Sequence, residues 1–149
     1  MSGKRSSTQA QIFGLIKKMK ENETSLLLIT HDMGAVWEMC DRVVVMYASK
    51  IVETGSLADI FEHPAHPYTI GLLSAIPRLS AGRRRLTDIA GQVPSPFDYP
   101  EGCNYQARCP HVFERCRQEV PPLFDCGNNQ YAACFLKDPT GLRSDADAT

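Results

Sequence analysis

The stretch LLLITHDMGAVWEMCDRVVVMY, Leu26 to Tyr47, constrains this chain more than any other part of it. Two short apolar runs, Leu26 to Ile29 and Val43 to Met46, bracket the polar Thr30-His31-Asp32 and a mixed segment. Unbroken apolar runs of this length predict strands covered on both faces, as in an α/β sheet. Met33 to Cys40, between them, predicts a short helix. Upstream, Ile12, Phe13, Leu15, Ile16 and Met19 recur at helical spacing opposite Lys17, Lys18 and Lys20. A helix is therefore expected over Thr8 to Lys20, capped by Ser7 or Thr8 and ended by Glu21-Asn22-Glu23. Downstream, Lys50 to Thr54 reads as an antiparallel partner of the second strand, closed by Gly55. Ser56-Leu57-Ala58-Asp59 has the form of a capping box and opens a helix that stops at His63-Pro64. Pro67 suits the first position of a further helix, Tyr68 to Ile76, which Pro77 stops. Helix and strand alternate through residues 8–76, so the fold class expected there is α/β.

The composition then changes. Residues 77–102 hold Pro77, Pro94, Pro96 and Pro100 with Gly82, Gly91 and Gly102, and read as a linker or irregular stretch. Cys103, Cys109, Cys116, Cys126 and Cys134 follow in close succession. The organisation expected is an α/β part over 8–76, a cysteine-stapled extension over 77–137 and a frayed tail over 138–149. The net charge of -1 gives no ground for a nucleic-acid partner, and the basic cluster Arg83-Arg84-Arg85 reads as a solvated linker face, like the rest of Arg78 to Leu86. The apolar runs fall far short of the roughly 18 residues that span a bilayer. Lys4 and Arg5 precede no apolar core, so no secretory signal is read. A cytosolic, reducing setting is the expectation, where thiols are free, catalytic or metal-bound rather than paired.

Two places carry chemistry. His31 follows a predicted strand, and ligands in α/β sheets sit beyond the carboxyl ends of strands. An imidazole there would contact an anion or polarise a water, or else make an ordinary loop hydrogen bond. Cys103, Cys109, Cys116 and Cys134 would close a metal or cluster site and supply folding energy that a Pro-rich segment lacks. Their wide spacing suits an iron–sulfur cluster somewhat better than zinc, which favours tighter pairs. Free or paired thiols remain the third reading. Elsewhere, His63-Pro64-Ala65-His66-Pro67 reads as a pinned corner between helices rather than a metal site, and Trp37 and Met39 as packing residues.

The segments TQAQIFGLIKKMK, LLLITHDMGAVWEMCDRVVVMYASKIVETG and HPAHPYTIGLL together resemble the C-terminal half of an ABC transporter ATPase subunit. The oligopeptide/dipeptide importer branch is the better match, over residues 8 to about 137. Thr30-His31-Asp32 alone is a weak signal; followed by Asp41-Arg42-Val43 and Gly55 it is strong. The resemblance implies that His31 is the catalytic switch-loop histidine, which contacts the γ-phosphate and orients the attacking water. Phosphoryl transfer rests on such positioning and charge stabilisation.

Other parts of that machinery do not occur in this sequence. There is no GxxxxGK[ST], no signature loop and no Mg²⁺-holding Asp-Glu strand, and Gly3-Lys4-Arg5 lacks the hydroxyl and the preceding strand. Arg5 stands where the family has an acidic residue, so residues 1–6 look unrelated to it. The polypeptide by itself is expected not to hydrolyse ATP.

GCNYQARCPHVFERCRQEVPPLF is similar to the tail of these importers, which implies that Cys103, Cys109, Cys116 and Cys134 ligate a structural [4Fe-4S] cluster. Zinc would be an occupant in recombinant material, and Cys126 an ordinary thiol. ATP and Mg²⁺ would bind the complete subunit. That subunit would pair with a second ATPase subunit and dock on membrane-spanning permease subunits, peripheral to the cytoplasmic face of the membrane. The alternative is a non-catalytic metal- or cluster-binding interaction module that docks on a transporter. Without neighbouring strands, Leu26 to Ile29 and Val43 to Met46 would leave apolar faces and an open edge, favouring self-association.

Overall fold

The computed structural model describes residues 7–20, 24–76, 89 and 91–141. The expectations for residues 1–6, Glu21 to Glu23, Pro77, Arg78 to Leu86 and the last residues of the tail lie outside the described residues. Contacts divide the chain into two units, Met1–Asp41 and Arg42–Thr149.

In the first unit, helix α1 (Ser7–Lys20) and helix α2 (Met33–Met39) form close to the expected bounds. Asp32 is the N-cap of α2: its carboxylate accepts from Gly34 N at 2.8 Å and Ala35 N at 3.2 Å. Its own N–H donates to Thr30 Oγ1 at 3.0 Å. Part of the Thr-His-Asp pattern is thus helix-starting chemistry, which satisfies donors that the first turn leaves orphaned. Met39 is buried as expected, whereas Trp37 is half exposed.

The expected buried strand over Ser25 to Thr30 is not formed; residues 24–30 have no regular structure. Leu27 and Ile29 are 85% and 88% exposed. A strand is stabilised by neighbours that pair its backbone and cover its faces, and no described strand pairs with this segment.

The second unit is built on an antiparallel sheet of four strands in the order β1-β2-β4-β3: β1 (Arg42–Tyr47), β2 (Lys50–Ser56), β3 (Phe124–Gly127) and β4 (Gln130–Ala132). Each hairpin turns on two residues with positive φ, Ala48 and Ser49 at 45° and 64°, Asn128 and Asn129 at 53° and 57°. Such turns match the twist of the flanking strands, and asparagine tolerates the left-handed region better than alanine does. β1 is not buried on both faces as expected. Val43, Val45 and Tyr47 are buried, while Arg42, Val44 and Met46 are exposed. Alternation places every second side chain on a face that is not covered.

Central β2 buries the consecutive residues Val52 and Glu53, so both of its faces are covered there. Helix α3 (Leu57–Glu62) follows at once, capped by Ser56: Asp59 N donates to Ser56 Oγ at 3.1 Å, and that hydroxyl donates to Asp59 Oδ2 at 2.6 Å. Ile60 seals α3 with no exposed surface. Helix α4 (Pro67–Ser74) begins with Pro67 at its first position, as expected. Far along the chain, the cysteine-bearing extension supplies the short helix α5 (Glu114–Gln118) and, through β4, pairs Ala132 with Glu53 and Tyr131 with Thr54. It is therefore more regular than its composition suggests. The mixed helix and antiparallel sheet is consistent with α/β composition.

Candidate metal centre

The corner His63-Pro64-Ala65-His66-Pro67 is held by a buried carboxylate. Glu53 has no exposed surface, and its oxygens accept from Ala65 N at 2.7 Å, His66 N at 2.9 Å and Gln130 Nε2 at 2.8 Å. Gln130 Nε2 also donates to His63 O at 3.0 Å. Three charge-assisted bonds offset the desolvation of that carboxylate. They tie β2, β4 and the start of α4 into one joint. His66 then caps α4, its Nδ1 accepting from Tyr68 N at 3.0 Å.

Beside this joint lies a cavity of about 20 Å³. Cys103, Cys109, Cys116 and Cys134 all line it, with His66 and Tyr105, and its walls are almost wholly apolar. The four cysteines arrive from separate places: the loop before a single 3₁₀ turn (Gln106–Arg108), the residue just after that turn, α5, and the loop after β4. Gly102 makes the first approach possible. Its φ is 75°, and a Cβ there would lie 2.5 Å from Cys116 O. The next residue, Cys103, donates its N–H to that same oxygen at 2.8 Å.

Three of the sulfurs sit in turns whose backbone N–H groups aim back at them. Tyr105 and Gln106 face Cys103, and Leu136 faces Cys134. His111 N donates to Cys109 Sγ at 3.4 Å. Such donors stabilise a thiolate, but burial outweighs them. It pushes the Cys103 and Cys109 thiols up and Cys134 up to about 11, and the neighbouring cysteines push in the same direction. At neutral pH these three groups are protonated thiols unless a cation compensates their charge. Cys126 lies outside the cavity and makes a 3.7 Å contact with Phe124 O. Among the described residues no group of three or more His, Cys, Asp or Glu stands ready to hold a single metal ion.

An aromatic cluster backs the cavity. Tyr105, 3% exposed, packs against His66, Tyr47 and Tyr68 with ring centroids 5.7, 5.1 and 5.5 Å away. Arg108 lies over Tyr47 and donates to Ile89 O at 2.7 Å. Arg115, next to Cys116, stacks on Phe135 at 4.1 Å and pairs with Asp138 at 2.7 Å.

His31 belongs to the other unit. It lies exposed between residues 24–30 and α2. Glu53 and His66 were not candidates from sequence. The His/Pro pattern around His66 marked a corner, but nothing local told that this residue would line the cysteine cavity.

The sequence of the same unit matches a known family. Residues 52–116 match the family described as oligopeptide/dipeptide transporter, C-terminal region. Over most of its length the chain is similar to the C-terminal portion of oligopeptide/dipeptide ABC transporter ATPase subunits. Relatives include the oligopeptide transport ATP-binding protein OppD of Salmonella typhimurium, 43% identical over 130 residues, which cover 87% of this chain and 38% of that protein. AppD of Bacillus subtilis, also an oligopeptide transport ATP-binding protein, is 41% identical over 134 residues, 89% of this chain and 41% of its own. The dipeptide transport ATP-binding protein DppD of Haemophilus influenzae is 45% identical over 123 residues, 82% of this chain and 37% of its own. The chain thus spans about two-fifths of the length of these curated relatives. Cys103, Cys109 and Cys116 fall inside the family match of this ABC ATPase portion, whereas Cys134 and His31 fall outside it. No described helix is long and apolar enough to cross a membrane.

Proposed function

We propose that this chain is the C-terminal portion of the ATP-hydrolysing subunit of an oligopeptide/dipeptide importer, and that its four-thiol cavity holds a structural soft-metal centre. The first half rests on the similarity to transport ATP-binding proteins. In the complete subunit His31 would contact the terminal phosphate of ATP. That subunit would pair with a second ATPase subunit and dock on permease subunits at the cytoplasmic face.

One observation carries the second half: four cysteines from separate segments line a single cavity, while Cys126 does not. The donor set suits a soft metal: four cysteine sulfurs, with His66 and His111 in the same lining and no carboxylate, and backbone N–H groups face three of the sulfurs. The [4Fe-4S] cluster is the favoured occupant on the likeness of the cysteine-bearing stretch to the tail of these importers. When bound it would crosslink the loop around Cys103, α5 and the loop after β4. Zinc is the second reading, favoured by the cavity's size, about 20 Å³, which would draw the thiols inward.

Anaerobic reconstitution with iron and sulfide tests the site. About four irons and four sulfides per chain, with a broad visible absorption, is the expected result; stoichiometric zinc alone selects the second reading. An ATPase assay of this polypeptide, with and without an upstream polypeptide carrying GxxxxGK[ST], tests the transporter reading. Activity that needs both, and that His31→Ala abolishes, is the expected result. A stable polypeptide that holds metal but never supports ATP turnover in such a mixture would favour the interaction module instead.

A further inference from the structure

Phe97 is the most exposed large apolar side chain among the described residues, at 99%. A single exposed apolar residue is ordinary; the turn that carries this one is braced to hold it out. Asp98 N donates to Ser95 O at 3.0 Å, and Phe97 N donates to Ser95 Oγ at 3.3 Å. Ser95 and Pro96 take the first two positions of that turn, where serine and proline are favoured. Just beyond it the Tyr99 and Ser49 hydroxyls hydrogen-bond at 2.9 Å, which ties the turn to the β1–β2 hairpin.

The same hairpin borders a groove. Lys50, Ile51 and Val52 of β2 line an opening of about 60 Å³ with Val120, Pro121 and Ala133, and the lining is mostly apolar. Ile51 and Val120 are half exposed. Asn104, also in the lining, donates its Nδ2 to Ala48 O at 2.8 Å. Turn and groove are thus anchored on adjacent residues of one hairpin loop, Ser49 and Ala48. Each carries one exposed charge, Asp98 beside Phe97 and Lys50 beside the groove, and among the described residues neither makes an ion pair.

We propose that this part of the 42–141 unit is an interface between two copies of the chain: Phe97 of each copy enters the groove of the other, and Asp98 pairs with Lys50 across the contact. An apolar projection and an apolar recess on one patch, with one charge of each sign, form a self-complementary set, which is what a twofold interface requires. The recess admits the leading edge of the ring, and Ile51 and Val120 cover its faces. A turn already fixed by its own hydrogen bonds loses little freedom on docking, so more of the gain from taking the ring out of water is kept. The inference stands apart from the transporter reading and from the occupant of the thiol cavity.

Sedimentation equilibrium of the full chain under reducing conditions tests it. A reversible dimer is expected. Phe97→Ala should weaken it at least about tenfold, with no change in thermal unfolding of the dilute protein, because the ring is exposed in its own chain. Lys50→Glu and Asp98→Lys should each weaken it about fivefold. An equimolar mixture of these two single variants should recover the affinity of the unaltered chain, since each then sets opposite charges against the other. A chain that stays monomeric at roughly 1 mM overturns the proposal, as does a dimer that Phe97→Ala leaves intact. A dimer weakened by Met46→Lys and not by Phe97→Ala forms through the open face of β1 and overturns it as well. No recovery in the mixture overturns the charge pairing and with it the twofold arrangement.

Discussion

In residues 24–41 the apolar Leu27 and Ile29 are 85% and 88% exposed, while in residues 42–141 the charged Glu53 has no exposed surface at all. The local chemistry of both regions is sound. Asp32 caps α2 as well as Ser56 caps α3. The difference lies in long-range partners. β2 has β1 on one side and β4, drawn from nearly eighty residues downstream (Glu53 pairing Ala132), on the other. Residues 24–30 have no described strand beside them. Burial follows the neighbours a segment acquires, not the hydrophobicity it carries.

Several substitutions would break or sharpen that contrast. The largest effect belongs to the cavity: Cys109→Ser or Cys134→Ser should abolish stoichiometric metal retention, measured by metal analysis after gel filtration, while Cys126→Ser should leave it unchanged. Equal losses in all three would remove the distinction that the cavity draws between them. Next is Glu53→Ala, which strands the N–H groups of Ala65 and His66 and should cost the 42–141 unit on the order of 4 kcal/mol, read from urea unfolding. A cost under about 1 kcal/mol would mean that water replaces the carboxylate and the joint is not buried as described.

Gly102→Ala places a methyl group against Cys116 O in a left-handed backbone and should cost about 3 kcal/mol, with weakened metal retention. In the other region, Asp32→Ala should cost only about 1 kcal/mol and act on α2, visible as a small loss of helical circular dichroism rather than a shift of the main transition.

The smallest effect is electrostatic. Thr140, through its hydroxyl and its N–H, and then Arg115 hold the Asp138 carboxyl below its ordinary value. A carboxylate with a depressed folded-state pKa adds stability above the unfolded value of 3.8, and that increment is lost as pH falls through 3.8 toward the folded value. Asp138→Asn should therefore flatten the acid limb of the stability curve slightly and leave it unchanged below both pKa values.

Much of the fold was legible because the signals are local. The apolar period of α1, the Ser56 cap, the stop at His63-Pro64 and Pro67 at a first turn each depend on residues within a few positions of one another. The cysteines that line the cavity were also legible, through their likeness to a known tail rather than through spacing alone. The β3–β4 hairpin was not. Its only local mark is Asn128-Asn129, a pair suited to positive φ but set between weakly apolar flanks. The strand expected over Ser25 to Thr30 failed for the converse reason, a strong local pattern without partners.

By itself the sequence determined where helices begin and end, since caps and prolines act over a turn or two of chain. Only the tertiary structure decided that Glu53 would be the buried joint between β2, β4 and the His66 corner, and that His66 would line the same cavity as the thiols. Those outcomes depend on segments far apart in sequence meeting across an antiparallel sheet. The free energy of burying a carboxylate or an imidazole is set by the donors and acceptors present at that meeting.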